Sequence, residues 1–195
     1  MGKIFCLMGK SASGKDTIYS RLLQMPELTL KKVIPYTTRP MRQGEIDGDT
    51  YFFCGEGAVE QLEKEHRIIE LRAYDTVHGI WKYFTADDGQ IDPASPFSYL
   101  MIGTLESYMK MKAYYGQKNL VPLYIEVEDG LRLERALARE RMQDVPNYAE
   151  LCRRYLADRQ DFSEEKIAEA GILKRYENID FDACCREIVR DVKIF

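Results

Sequence analysis

The stretch "GKSASGKDT", Gly9 to Thr17, follows the apolar run "IFCLM". Gly9, Gly14 and Lys15 have the spacing G-x-x-x-x-G-K, in which glycines free the backbone and a lysine follows. The next position ordinarily holds Ser or Thr; here it holds Asp16, and Thr17 comes one residue late. The run before Gly9 is short and continuously apolar, as in a strand buried on both faces of a parallel sheet. The segment after it carries Ile18, Leu22 and Leu23 at helical spacing and stops at Pro26. A strand, a glycine turn and a helix in that order predict an α/β fold. They also separate a phosphate cradle from an ordinary glycine turn. The backbone amides from Gly9 through Lys10, Ser11, Ala12, Ser13 and Gly14 would wrap phosphate oxygens. The helix start adds its positive end, and Lys15 reaches the outer phosphates.

Asp16 has two readings. A carboxylate in the first turn of a helix is stabilised by the dipole. Beside a triphosphate it would repel, unless Mg²⁺ lies between, and carboxylates and hydroxyls both bind Mg²⁺. Asp16 and Thr17 are therefore the candidate metal ligands.

Further along, "SYLMIG" (98–103) and "LVPLYIEV" (120–127) read as buried strands, and "TLESYMKMKAYYG" between them as a helix ending at Gly116. "EDGLRLERALARERM" reads as another helix, and "NYAELCRRYLADRQDFSEEKIAEA" as one long helix with Tyr148, Leu151, Tyr155 and Leu156 on one side. "DFDACCREIVRDV" closes the chain as an amphipathic helix capped by Asp180. Residues 35–92 differ: "YFFC", a helix-like "GAVEQLEKE", and two strands, "RIIELRAYDT" and "IWKYFT", turning near Gly79. The expected architecture is a P-loop core of residues 1–34 and 93–195, its parallel sheet flanked by helices. An inserted α+β acceptor-binding domain covers 35–92, a lid covers 139–149, and "DDGQIDPASP" (87–96) is a hinge.

Two basic clusters add chemistry. "YTTRPMRQGEIDGDTY" sets Arg39 and Arg42 three residues apart on a stiff loop, followed by Tyr51. Guanidinium groups grip phosphate bidentately, so this set suits a monophosphate. "ERALARERMQDVPNYAELCRR" carries Arg135, Arg139, Arg141, Arg153 and Arg154 around a polar loop. Swung over a phosphoryl group in flight, such arginines exclude water and neutralise charge. The plain alternative in both clusters is a solvated surface; Glu134, Glu140 and Glu150 are near enough in sequence to pair with the second. Donor site, acceptor site and lid together describe phosphoryl transfer by positioning and charge, with no nucleophilic side chain required.

Net charge is −4, so no global basic field draws the chain to nucleic acid or an anionic membrane. There are five cysteines, an odd number with no C-x-x-C pair, and His66 and His78 lie far from them, which argues against zinc and for reduced thiols. With no signal peptide or membrane span evident in the sequence, a cytoplasmic protein is expected. Nothing in it speaks to oligomeric state.

With these segments in view, the chain resembles the guanylate kinase family along nearly its whole length. "GKSASGKDT" is similar to that family's phosphate loop, and "YTTRPMRQGEIDGDTYFF" to its acceptor segment T-T-R-x-x-R-x-G-E-x-x-G-x-x-Y. The resemblance implies ATP-dependent phosphorylation of GMP with Mg²⁺. It implies that Lys15 binds the donor phosphates, that Arg39, Arg42 and Tyr51 hold the GMP phosphate, and that Glu70 meets the guanine edge. Arg135, Arg139 and Arg154 match the lid and lid-flanking arginines, and Asn178 an adenine-side contact. The family's hairpin pattern Y-G-[ST] fits two registers: His78 with Ile80, or Tyr83 with Thr85 in a hairpin four residues longer. The second is preferred, because two added residues per arm keep every side chain on its face. Three positions depart from the family: Pro35 replaces a serine near the base, and Met101 and Gly103 stand where an aspartate pair would be. Tyr74 or Trp81 could replace missing polar readers if either faced the acceptor. Two other readings stay open at this point. A guanylate-kinase-like phosphosugar kinase would keep the phosphate grip and have no use for Glu70. A non-catalytic module would grip a phosphorylated peptide, although Lys15 and the second arginine cluster argue against it.

Overall fold

The computed structural model describes residues 2–42, 44–76 and 79–195. Five strands form one sheet in the order β2-β7-β1-β8-β9: β1 (Ile4–Gly9), β2 (Leu30–Lys32), β7 (Ser98–Ile102), β8 (Leu120–Glu126) and β9 (Arg175–Glu177). Every pairing in it is parallel. The first strand shows why its sequence is an unbroken apolar run. Ile4, Cys6 and Met8 pack on one face with Tyr108 and Met111 of helix α3 (Leu105–Tyr115) and with Ile167 of α6 (Glu164–Glu169). Phe5 and Leu7 pack on the other face with Ile18 and Leu22 of α1 (Lys15–Leu23) and with Cys184, Cys185 and Ile188 of α7 (Phe181–Val192). Both faces are covered, as a parallel sheet requires.

A second sheet, in the order β4-β3-β6-β5, is built from residues 36–86: β3 (Tyr36–Thr37), β4 (Phe52–Phe53), β5 (Ile68–Thr76) and β6 (Gly79–Ala86). Helix α2 (Glu56–Lys64) covers one face, with Val59 and Leu62 against Phe84, Ala86 and Leu71. The other face carries the polar cross-strand pairs Glu70 with Thr85 and Arg72 with Tyr83. A bulge between Ile68 and Glu70 starts this alternation. The structure therefore has the longer hairpin, with Tyr83 and Thr85 on the Glu70 face. Ile80 is 60% exposed at the far end, opposite Asp75, and His78 lies outside the described residues. The two connections between the sheets run side by side: the Gln90 amide accepts from Ile34 N–H (2.8 Å) and donates to the Ile34 carbonyl (3.0 Å).

One element differs from its expected form. The long helix over 147–170 is two: α5 (Tyr148–Asp161) and α6. Phe162 leaves the helical path, buries itself and stacks on Tyr124 with centroids 5.8 Å apart. Ser163 then caps α6, accepting from Lys166 N–H. Helix α5 itself has no buried residue, and Leu156 is exposed, so the side expected to be apolar does not pack inward as a core stripe. Three short elements absent from the sequence reading, β2, β3 and β9, are each held by neighbours rather than by a periodic pattern of their own.

Candidate active site

The loop from Gly9 to Thr17 leaves the carboxyl end of β1 and enters α1. Gly14 caps the helix with φ +83°, and a Cβ there would sit 2.4 Å from Asn178 Nδ2. Gly9 is equally constrained, since a Cβ would meet the Ile125 carbonyl at 2.7 Å. Both glycines are thus required by close approach and, at Gly14, by a left-handed backbone. Gly14 brings no side chain to cap α1, leaving the first amides of the helix for a ligand. Lys15 is the first helical residue, its Nζ 3.8 Å from Asp16 Oδ2. Asp16 and Thr17 are both exposed. Among the described residues no group of three or more His, Cys, Asp or Glu could hold a metal ion. An adjacent exposed carboxylate and hydroxyl nevertheless fit Mg²⁺, which takes few protein ligands and keeps water and phosphate oxygens.

The loop is braced from beneath by groups that sequence reasoning did not single out. Arg132, on α4 (Asp129–Arg141), is 1% exposed. It donates from Nη1 to the Ser11 carbonyl (2.9 Å) and to Asp158 Oδ2 (3.3 Å), and from Nη2 to Asp129 Oδ1 (2.7 Å). Its guanidinium lies 5.3 Å over the Tyr155 ring. Asp158 on α5 also accepts from the Ser11 N–H at 2.8 Å, and Lys10 reaches Asp129 at 3.4 Å. Asn178, the expected adenine-side contact, is buried and donates to the Ser13 carbonyl at 2.8 Å, while Arg135 donates to the Asn178 carbonyl at 2.9 Å. Asn178 and Arg135 therefore reach the loop through its support. Ser13 Oγ is buried with no hydrogen-bond partner among the described residues, on the inner side of the cradle near Gly9. The only trace of this brace in the sequence is the i,i+3 spacing of Asp129 and Arg132.

The T-T-R segment is stitched to β6 by its threonines. Thr37 Oγ1 donates to the Lys82 carbonyl (2.9 Å) and accepts from Arg39 N–H (3.2 Å), while Thr38 Oγ1 accepts from Lys82 N–H (2.9 Å). That fixes the start of the Arg39 side chain. Its guanidinium is buried, bonded to both oxygens of Glu45 and to the Pro40 carbonyl, and lies 5.2 Å over the Tyr51 ring. Tyr51 meets Tyr83 edge-on at 5.7 Å. Arg39, Tyr51 and Tyr83 thus form one cluster, with Thr85 and Glu70 continuing it along the hairpin face.

The Arg39 hydrogen bonds hold the Glu45 carboxyl at about 2 against its partial burial, aided by the Arg42 amide. Its folded value lies below the ordinary 4.5, so its contribution is complete above pH 4.5 and disappears as pH falls toward 2. The Glu45→Gln variant is expected to be less stable than wild type at neutral pH and to lose less stability on acidification through this window. Urea midpoints at pH 7, 4 and 3 measure both; parallel pH curves would contradict the assignment.

Arg42 faces elsewhere. With Ser11, Arg139 of α4 and Arg154 of α5 it lines a cavity of about 270 Å³ that also touches Arg132 and Asp158. Arg154 and Arg153 both pair with Glu150, whose carboxyl they hold at about 2. The structure therefore brings together Arg42, Arg139, Arg154 and the phosphate loop, and sets Arg135 behind them. Residues 142–147, between α4 and α5, are exposed, and the Asn147 amide donates to Glu140 at 2.5 Å.

Glu70 does not present an open carboxylate. It is 2% exposed, and Arg72 donates to it from Nε (3.0 Å) and Nη2 (3.3 Å), while Thr85 donates at 3.0 Å. Met101 is buried in the core, and a Cβ at Gly103 would meet Ser107 Oγ at 2.5 Å and Cys6 Sγ at 3.0 Å. No side chain fits at 103 without repacking. Pro35 serves the backbone, its carbonyl accepting from Phe52 N–H at 2.9 Å.

Residues 1–79, which contain the phosphate loop and the T-T-R segment, match the family model described as guanylate kinase. Over 99% of its length the chain superposes on the crystal structure of guanylate kinase from Anaplasma phagocytophilum, with TM-score 0.66, covering 85% of that chain at 17% identity. The first 79 residues are thus similar to guanylate kinase in sequence, and the whole chain is similar to it in fold. At that identity the superposition speaks for the fold. The family's phosphate-loop and acceptor segments lie within the matched residues, whereas Arg132, Asp158 and the second arginine cluster lie beyond them. Among the described residues no helix is long and apolar enough to cross a membrane.

Proposed function

We propose that the chain transfers a phosphoryl group from ATP to a nucleoside monophosphate, with GMP as the expected acceptor. The observation that carries this reading is the cavity shared by Ser11 of the phosphate loop, Arg42 of the T-T-R segment, Arg139 of α4 and Arg154 of α5. Donor loop, acceptor loop and flanking arginines converge on one space, which suits charge spread over a phosphoryl group in transit. In this reading Gly9 to Thr17 cradle ATP, with Lys15 on its phosphates. Arg39, Arg42 and Tyr51 hold the acceptor phosphate on residues 35–92, and 139–149 close over the cavity. Asp16 and Thr17 would hold Mg²⁺, which neutralises charge between the phosphates when bound. A cytosolic setting suits both ATP and five free cysteines.

The test is ADP release with ATP and Mg²⁺ over a panel of GMP, dGMP, AMP, UMP, CMP and phosphosugars. Turnover of a nucleoside monophosphate is expected. Turnover of sugars alone, or none anywhere, would overturn the reading. In the same assay Asp16→Ser is expected to raise the Mg²⁺ concentration needed for half-maximal activity, because the site loses a charged oxygen. An unchanged Mg²⁺ dependence would leave Asp16 with a helix-stabilising role only.

A further inference from the structure

The phosphate loop is held in a conformation that its own sequence does not favour. Ala12 has φ +61°, in the left-handed region, where an L-residue is disfavoured about tenfold. A strained residue of this kind persists only where its surroundings over-determine it. Here the neighbouring peptides are gripped from outside the loop. Arg132 donates to the Ser11 carbonyl at 2.9 Å, and Asn178 to the Ser13 carbonyl at 2.8 Å. In a trans peptide the C=O and the following N–H point in opposite directions. With both carbonyls drawn outward, the N–H groups of Ala12 and Gly14 turn to the inner side of the loop. Among the described residues neither has an acceptor, whereas the Ser11 N–H donates to Asp158 and the Ser13 N–H to the Lys10 carbonyl. Turning over the peptide between Ser11 and Ala12 would return Ala12 to a negative φ. It would also aim the Ser11 carbonyl at phosphate oxygens.

We propose that Arg132 is a positioning residue for the donor: through the Ser11 carbonyl it holds that peptide in its strained orientation and so aims the Ala12 N–H at the phosphates. The inference rests on the reading of Gly9 to Thr17 as a donor-phosphate cradle. Arg132 acts through the loop backbone; it is 1% exposed and is itself fixed by Asp129 and Asp158. Without it the relaxed orientation of Ala12 prevails, and the apparent affinity falls with the fraction of molecules left in the binding orientation. Glycine at position 12 carries no left-handed penalty, so it regains most of that fraction.

The experiment is the dissociation constant of MgATP by calorimetry, each protein well below its unfolding transition. It compares wild type, Ala12→Gly, the pair Arg132→Met with Asp158→Asn, and that pair with Ala12→Gly added. Changing Asp158 with Arg132 avoids a stranded buried carboxylate, and asparagine still offers an oxygen to the Ser11 N–H. The pair is expected to bind about tenfold more weakly than wild type. Adding Ala12→Gly to it is expected to tighten binding about fivefold, a gain at least about threefold larger than the same change gives with Arg132 present. A brace that merely stiffened the loop predicts the opposite sign, since glycine would loosen the loop further. Binding by the pair within about twofold of wild type would overturn the proposal, and so would a triple variant no tighter than the pair. Wild type that does not bind MgATP would overturn the cradle reading and this proposal with it. None of these constants needs phosphoryl transfer, so the kinase reading stands or fails separately, in the ADP-release assay.

Discussion

Replacing Lys15 with methionine is expected to lower phosphoryl transfer by about a hundred- to a thousandfold while leaving the melting temperature nearly unchanged. The side chain leaves the first position of α1 beside Gly14, and its only ion-pair partner among the described residues is the exposed Asp16, 3.8 Å away. Little folding energy is at stake in such a contact, because a surface ion pair contributes at most about 1 kcal/mol. Its value lies in the transition state, where one fixed cation meets charge developing on the transferred group. Steady-state rates at saturating ATP and GMP measure the first part, and thermal unfolding the second. A variant retaining more than about a tenth of wild-type kcat would remove Lys15 from the chemistry.

Arg132→Met is expected to do the reverse and damage the fold first. Methionine keeps the apolar stem but deletes a guanidinium that is 1% exposed and joins Asp129, Asp158 and the Ser11 carbonyl. Removing one partner of a buried ion pair typically costs about 3–5 kcal/mol, because the other charge is left in a poor environment. For a chain of this size that corresponds to a fall in melting temperature on the order of 10 °C. Affinity for ATP is expected to fall as well, since Arg132 and Asp158 hold both backbone groups of Ser11. Adding Asp158→Asn to the variant is expected to restore part of the loss by removing the stranded carboxylate. A drop of only about 2 °C would show that the network is better solvated than its burial implies.

These two arginine and lysine positions differ in how visible they are before folding. Lys15 is marked by its own neighbours: glycines at fixed offsets, an apolar run before and helical spacing after. The T-T-R segment is marked in the same way, and the threonines that stitch it to Lys82 lie beside the arginine they orient. The hairpin register was also legible, because a strand alternates faces every two residues and only an even extension keeps Glu70 and Thr85 together. The break between α5 and α6 was less visible. The helical spacing runs on through it, and what interrupts it is the pull of Tyr124 on Phe162 across the core.

Sequence alone determined the local devices: the phosphate cradle, the guanidinium pair of the T-T-R segment and the parallel α/β core. Each depends on backbone conformations and periodicities set within a dozen residues. Tertiary structure decided which charge meets which. Arg132 pairs with Asp129 on its own helix, but it is also drawn under Ser11 and onto Asp158, twenty-six residues away. Arg139 and Arg154 share a cavity with Arg42, while Arg135 turns to Asn178. Glu70 and Arg72 are two residues apart, but only burial on the hairpin face joins them and hides the carboxylate. Side-chain charges find partners by proximity and desolvation, and both are properties of the packed chain, not of its order.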